Sequence, residues 1–339
     1  MKKGQANASR GLSNMSIKEP ESSHPRDVKA AWNSYWSGAS TSSRPKAPET
    51  SHPALLELWS AFFASTGKAN PRLLDIASGD GIVPQVAFEA LATSSPDITC
   101  SDVSPVALAA IEKRMPSVQT CSCDAAQLPF GAGEFDLVTS QFGIEYAGRD
   151  AIPEAARVLR PGGRLQLVLH LRGGDIYQKC RDNLLAAEEF MESGFMQQAQ
   201  TVFDNLLATG KSKGRDRENP VEIMTPGIEK TVGIINRFGR HVTDGTIDTI
   251  FMTVARICRS PSRFDLAEAQ HWLKTMCEEM PGYATRMRSM CDAALRKEDV
   301  DALVSELEKH SLEVDSPRPI SLSGKGADSA WVIRATKVV

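Results

Sequence analysis

The residues best suited to do chemistry gather around one short run, Leu73-Leu74-Asp75-Ile76-Ala77-Ser78-Gly79-Asp80-Gly81-Ile82-Val83-Pro84. Leu73, Leu74 and Ile76 read as a buried strand. Gly79 and Gly81 permit positive φ and a close approach of ligand to backbone, and Ala77 and Ser78 are also small. A helix predicted from Val83 would aim its free N–H groups back at this turn. The pattern suits a cofactor at the carboxyl end of a parallel strand, and it also suits plain strand–helix packing.

Two later acids bear on that choice. Asp102 closes a second apolar run, Ile98 to Asp102, about 20 residues after Gly81, where a carboxylate accepts hydrogen bonds from the ribose hydroxyls of an adenosine ligand. It could equally be a carboxylate favoured at a helix N-terminus. Asp124 follows a third run. It is placed to accept from an adenine amino group, while Ala125 and the apolar turn Leu128-Pro129-Phe130 pack the ring. The Gly-x-Gly-x-x-Gly spacing of dinucleotide enzymes is absent, since position 84 is Pro84, and no Gly-Lys-Ser/Thr follows for a P-loop.

The elements that must hold these residues alternate. Strands are predicted at 72–77, 97–102, 118–122, 135–140 and 165–170, with helices at 82–92, 105–114 and 150–159, which implies a doubly wound parallel α/β sheet. Pro161-Gly162-Gly163 ends one helix and turns the chain into the fifth strand. The alternation then stops. Residues 175–209, 226–259 and 266–307 read as helical, the last broken at Pro281-Gly282, and strand-like sequence returns only at 311–322 and 330–336. The expected organisation is therefore a disordered tail over 1–25 and an N-terminal helical segment over 26–64. The sheet domain covers 65–171 plus 311–339, and a helical substrate cap covers 172–310. In the N-terminal segment, Asp27 is placed to cap a short helix whose Trp32, Tyr35 and Trp36 are costly to leave in water and should dock on the body. Residues 37–53 and Lys211 to Asn219 read as loops.

Taken in order, Leu74 to Gly81, Asp102, Asp124-Ala125 with Leu128-Pro129-Phe130, Phe135-Asp136-Leu137-Val138, and Leu159-Arg160-Pro161-Gly162-Gly163 resemble the class I S-adenosylmethionine-dependent methyltransferases. The branch with the ubiquinone/menaquinone biosynthesis (type 11) methyltransferases is the most similar. The resemblance covers about residues 70–171 and, weakly, the two final strands. It implies a Rossmann-like seven-stranded sheet and S-adenosyl-L-methionine as cofactor. Asp75 and the backbone of Ala77, Ser78 and Gly79 would hold the methionine part, with Gly81 completing the turn. Asp102 with Val103 would hold the ribose, and Asp124 and Ala125 the adenine. Gln141 would line the methyl-donor face. Ala77 stands where the family usually has its first glycine. The implied reaction is methyl transfer to an O, N or C atom of a small organic acceptor. Readings kept open are a protein or RNA methyltransferase and a non-catalytic S-adenosylmethionine-binding regulator. A general base, where one is needed, is sought among His170, Glu145 and Tyr146 near the carboxyl ends of strands, with His241 and His271 of the helical region able to reach in from above.

Bulk composition sets limits. The chain has 339 residues, 41% hydrophobic and 24% charged, with net charge -3, so no basic excess advertises nucleic acid. Seven irregularly spaced cysteines fit reduced thiols, and Cys121-Ser122-Cys123 lacks the second pair of a zinc site, so no metal is expected. Lys2 and Lys3 precede no apolar run, and no stretch approaches a bilayer span, so a cytoplasmic protein is expected, with a homodimer left open.

Overall fold

The computed structural model describes residues 25–41, 50–209, 219–322 and 326–338. At its centre is a sheet of β1 (Arg72–Ile76), β2 (Asp97–Asp102), β3 (Gln119–Ser122), β4 (Phe135–Gln141), β5 (Leu159–His170), β6 (Leu312–Val314), β7 (Arg318–Ile320) and β8 (Ala330–Lys337). The spatial order is β3-β2-β1-β4-β5-β8-β6, with β7 also on β8. Strands β1 to β5 pair in parallel, and β8 returns antiparallel to β5. The eighth strand is only nominal. Leu312 lies opposite Lys337 and Ile320 opposite Ala330, so β6 and β7 form one edge interrupted by residues 315–317. Pro319 is tolerated there because an edge strand leaves one side unpaired.

The central strands are continuous apolar runs because both faces of the sheet are covered. On one face Trp59, Phe62 and Phe63 of α2 (Pro53–Ala64) join α3 (Ile82–Ala90) and α4 (Pro105–Arg114) around Leu73, Ile98 and Ile111. On the other, Ile152 and Ala155 of α5 (Ala151–Val158) pack with Leu165, Leu167 and Ile333. The order reverses between β1 and β4, and the crevice at that point, at the carboxyl ends of the strands, is where such sheets bind ligands.

Five further helices follow β5: α6 (Asp175–Glu192), α7 (Phe195–Thr209), α8 (Pro220–Phe238), α9 (Thr246–Arg259) and α10 (Leu266–Ala293). They share a core of their own that includes Phe190, Phe195, Phe203, Ile250 and Leu273. The next helix, α11 (Lys297–Lys309), does not belong to it: Val300 and Leu307 are buried with the sheet. The helical excursion thus ends near residue 294, not 310 as expected. The chain re-enters the sheet domain where the Leu295 N–H donates to His170 O at 2.8 Å and Leu171 pairs with Leu295.

Other expectations also shift. Helix α10 passes through Pro281 without a break, because Leu273, Met280, Ala284 and Met287 are buried on both sides of the proline and hold the two halves in line. The 175–209 span does break, at Gly194 with φ 80. Helix α1 (Pro25–Thr41) starts before Asp27 and takes in residues 37–41, so Asp27 is not its cap and 37–41 are not loop, while residues 42–49 of that expected loop lie outside the described residues. The expected tail over 1–24 and the loop over 211–218 lie outside the described residues. Among the described residues, no helix is long and apolar enough to cross a membrane, and no group of His, Cys, Asp and Glu could hold a metal ion.

Candidate functional site

The glycine turn sits at the reversal point. Ala77, Gly79 and Gly81 all have positive φ, at 55, 50 and 70. Gly81 begins α3, and a Cβ there would lie 2.9 Å from Ile111 Cγ1, so both conformation and space require glycine. The turn is tied to β2. Ser78 N–H donates to Ser101 O at 2.9 Å and Gly79 N–H to Asp102 Oδ2 at 2.9 Å. These two N–H groups are therefore engaged.

Asp102 is buried, and its Oδ1 accepts from Ser104 N–H at 2.8 Å, where Ser104 caps α4. Burial pushes its pKa up, against hydrogen bonds from the backbone of Ser104, Gly79 and Val103. Val103 is half-buried beside it. The Cys123 N–H donates to Asp102 O at 3.1 Å and so fixes the next segment, in which exposed Asp124 accepts from Ala126 N–H at 2.9 Å and Ala125 packs against the sheet core. Asp102, Val103, Asp124 and Ala125 thus line up along the carboxyl ends of β2 and β3.

Two predicted ligand residues sit differently. Asp75 is only 2% exposed and accepts from Thr139 Oγ1 at 2.7 Å, beneath the turn rather than in the crevice. Burial raises its pKa to about 7, with Asp102 and Asp80 adding to the rise and hydrogen bonds to Thr139 and Ser78 opposing it. The amide of Gln141 is committed elsewhere: its Oε1 accepts from Trp59 Nε1 at 2.7 Å and its Nε2 donates to Thr50 O at 2.9 Å. It fastens α2 and the segment before it to the sheet.

The three predicted proton-handling residues do come together. Glu145 and Tyr146 lie on the single helical turn Ile144–Ala147 after β4, and His170 ends β5. Glu145 Oε1 accepts from the His170 backbone N–H at 3.1 Å and lies 2.8 Å from His170 Nδ1. The two side chains are 2% and 4% exposed. Tyr146 Oη is 3.4 Å from the same Nδ1, and burial, then the charge of Glu145, raises the Tyr146 pKa well above its usual value. Phe142 covers the imidazole at 4.5 Å between ring centroids. His241 and His271 are exposed on the cap.

Helix α1 roofs both halves. The Trp32 ring meets Tyr146 edge-on at 5.6 Å, and Arg286 of α10 lies 4.4 Å over the Tyr35 ring. Trp36 lies so near Gly79 that a Cβ there would be 3.0 Å from Trp36 Cζ2. The cap aromatics Phe190, Phe195 and Phe203 are instead fully buried as that unit's own core. A separate apolar cavity of about 400 Å³, lined by Phe195, Met224, Phe251 and Val254, lies within the cap.

Several supporting residues escaped sequence reading. Arg157 donates to Leu128 O at 3.0 Å and Phe130 O at 2.8 Å, holding the apolar turn predicted to pack a base. Its only advance signal was Glu154 one helical turn earlier, with which it pairs at 2.6 Å. Nothing in sequence spacing connects Thr139 to Asp75 or Trp59 to Gln141, because parallel-strand register and a helix docking decide those pairs.

Residues 74–167 match a family model described as a methyltransferase domain. The chain is 34% identical over 125 residues to a demethylmenaquinone methyltransferase of Clavibacter sepedonicus, covering 33% of this chain and 49% of that protein. It is 34% identical over 119 residues to the ubiquinone/menaquinone biosynthesis C-methyltransferase UbiE of Bordetella parapertussis, covering 33% of this chain and 46% of that protein. The chain thus spans about half the length, or less, of these relatives. A solved 1,6-didemethyltoxoflavin-N1-methyltransferase of Burkholderia thailandensis aligns over 97% of this chain and 99% of its own, at 12% identity and a TM-score of 0.45.

Proposed function

We propose that the chain, whose residues 74–167 match a methyltransferase domain, is a class I S-adenosylmethionine-dependent methyltransferase that transfers a methyl group from S-adenosyl-L-methionine to a small organic acceptor held under α1. The observation that carries this reading is the bond between Gly79 N–H and the Asp102 carboxylate in the crevice where the strand order reverses. It brings the glycine turn together with an acid at the end of the second strand, where such sheets hold a ribose. The residues present fit that cofactor. Asp102 and Val103 would take the ribose, Asp124 and Ala125 the adenine, and the carbonyls around Ala77 and Gly79 the methionine ammonium. When bound, the cofactor supplies an already activated methyl on a sulfonium.

The chain's own task is to align an acceptor with that methyl and to keep water away. Trp32, Phe142, Tyr146 and His170 would form an aromatic wall suited to a planar acceptor, and Trp36 would close the roof over the turn. The names of the relatives, which concern menaquinone and ubiquinone synthesis, favour an aromatic acceptor of that chemical kind over a macromolecule. The net charge of -3 gives no support to an RNA substrate. Incubating the full chain with methyl-labelled S-adenosylmethionine and a fractionated metabolite extract tests the reading. Label in a low-molecular-weight aromatic compound is expected; label only in protein or RNA would overturn it.

A further inference from the structure

Glu145 carries an asymmetry that the Glu145–His170 pair alone does not explain. Its Oε1 is doubly engaged, by the His170 backbone N–H at 3.1 Å and by His170 Nδ1 at 2.8 Å. Its Oε2 is buried and has no partner among the described residues, on a side chain only 2% exposed. An unpartnered buried carboxylate oxygen is costly, and the cost disappears when a donor reaches it. A structural carboxylate would be expected to satisfy both oxygens.

The surroundings define what such a donor would be attached to. The rings of Phe142, Tyr146 and Trp32 lie on the His170 imidazole or on one another at centroid distances of 4.5 to 5.8 Å. The charged and titratable groups around the cluster are His170 of β5, Tyr146 beside Glu145, Cys180 of α6 and Cys291 of α10, with Arg286 of α10 stacked on Tyr35 of α1. Glu145 is also close in sequence to the cofactor turn's neighbour: Gly143, two residues earlier, is packed against Ala77.

We infer that Glu145 is the proton acceptor of the reaction and that its Oε2 receives the hydroxyl proton of an aromatic acceptor, a phenol or quinol. His170 is a positioning residue that donates to Oε1 and so leaves Oε2 as the basic oxygen. This rests on the methyltransferase reading. The O–H bond of the acceptor breaks and its proton passes to Glu145 Oε2. The electron pair released forms the new bond to the methyl carbon, from the oxygen itself or from a ring carbon; in the latter case that carbon's hydrogen then leaves as a proton and the carbonyl oxygen takes one up, which restores the aromatic ring. The carbon–sulfur bond breaks with its pair remaining on sulfur, giving S-adenosylhomocysteine, and Glu145 later returns the proton to solvent.

The test uses the full chain, S-adenosylhomocysteine and 4-nitrophenol, whose absorption separates phenol from phenolate. Calorimetry first compares S-adenosylhomocysteine binding by wild type and by Glu145→Gln, with equal affinities expected. Binding by neither would defeat the methyltransferase reading itself, independently of Glu145. With S-adenosylhomocysteine bound, the wild type should take up 4-nitrophenol as the hydrogen-bonded phenol. Glu145→Gln offers an N–H in place of Oε2, so it should bind the phenol at least about tenfold more weakly and shift the bound probe toward phenolate. If Glu145→Gln does not fold, Glu145→Asp, which withdraws the carboxylate by one methylene, should show the same weakening. Replacing His170 with Asn should weaken probe binding while keeping the bound form neutral. An unchanged affinity and spectrum in the Glu145 variants, or no saturable binding of the probe by the wild type, would overturn the assignment.

Discussion

The methyl group of Ala77 fills the space left by Gly143: a Cβ built on Gly143 would lie 2.5 Å from Ala77 Cβ and 2.9 Å from Ala77 O. Ala77 occupies the left-handed region, φ 55, which favours glycine. The alanine at this position of the turn is thus accompanied by a glycine packed against it. An alanine at positive φ costs on the order of 1 kcal/mol. Ala77→Gly should therefore be neutral or stabilising by up to about 1 kcal/mol, since the relief is partly offset by added freedom in the unfolded chain. Gly143→Ala should cost about 1–3 kcal/mol through overpacking. In the Ala77→Gly background that cost should fall, though not vanish, because Ala77 O remains in the way. Urea unfolding of the two single variants and the double variant measures the coupling; strictly additive effects would show that the two residues do not share this space.

Asp75 makes stability depend on pH in a direction opposite to that of an ordinary salt-bridged carboxylate. Its pKa rises from 3.8 to about 7 on folding because it is buried. The folded state holds the proton more tightly, so the contribution is complete below about pH 4 and is lost as pH rises toward 7. Asp75→Asn keeps an acceptor for Thr139 and cannot ionise. Measured by thermal or urea unfolding, the variant should gain on the wild type between pH 4 and pH 8, by roughly 4 kcal/mol at most. Parallel pH profiles for the two proteins would refute a shifted Asp75.

Helix α1 should be part of the ligand site. Trp36 lies against Gly79 and Trp32 against Tyr146, so one helix touches the glycine turn and the Glu145–Tyr146–His170 cluster together. Deleting residues 1–41, or the milder Trp36→Ala, should weaken S-adenosylhomocysteine binding by about tenfold, close to 1.4 kcal/mol. The change should appear mainly as faster dissociation. Stopped-flow tryptophan fluorescence reads both rates in the deletion variant through Trp59. Unchanged rates would remove α1 from the site.

The local parts of this architecture were readable in the sequence. Strand runs such as Leu73 to Ile76, the turn glycines and the acids at strand ends are set by residue type and period, and the parallel, doubly wound arrangement follows from the alternation, whereas the strand order does not. Residues whose roles depend on docking were not readable. Gln141 looked like a ligand residue until Trp59 and Thr50 took its amide, and Asp75 looked exposed to ligand until Thr139 closed over it. Helix α11 looked like cap because its apolar spacing does not say which core it enters; Val300 and Leu307 face the sheet only because Leu295 has already returned the chain to the end of β5. The proline in α10 misled for a related reason, since burial on both sides overrides its local preference to stop a helix.

The most direct test of the account is a calorimetric titration of the full chain and of Asp102→Ala with S-adenosylhomocysteine. The account predicts saturable one-to-one binding by the wild type and an affinity reduced by more than about tenfold in Asp102→Ala, which removes the acceptor of Gly79 N–H and the oxygen proposed to take the ribose. Absence of binding by a folded wild-type chain, or equal affinity of the two proteins, would contradict it.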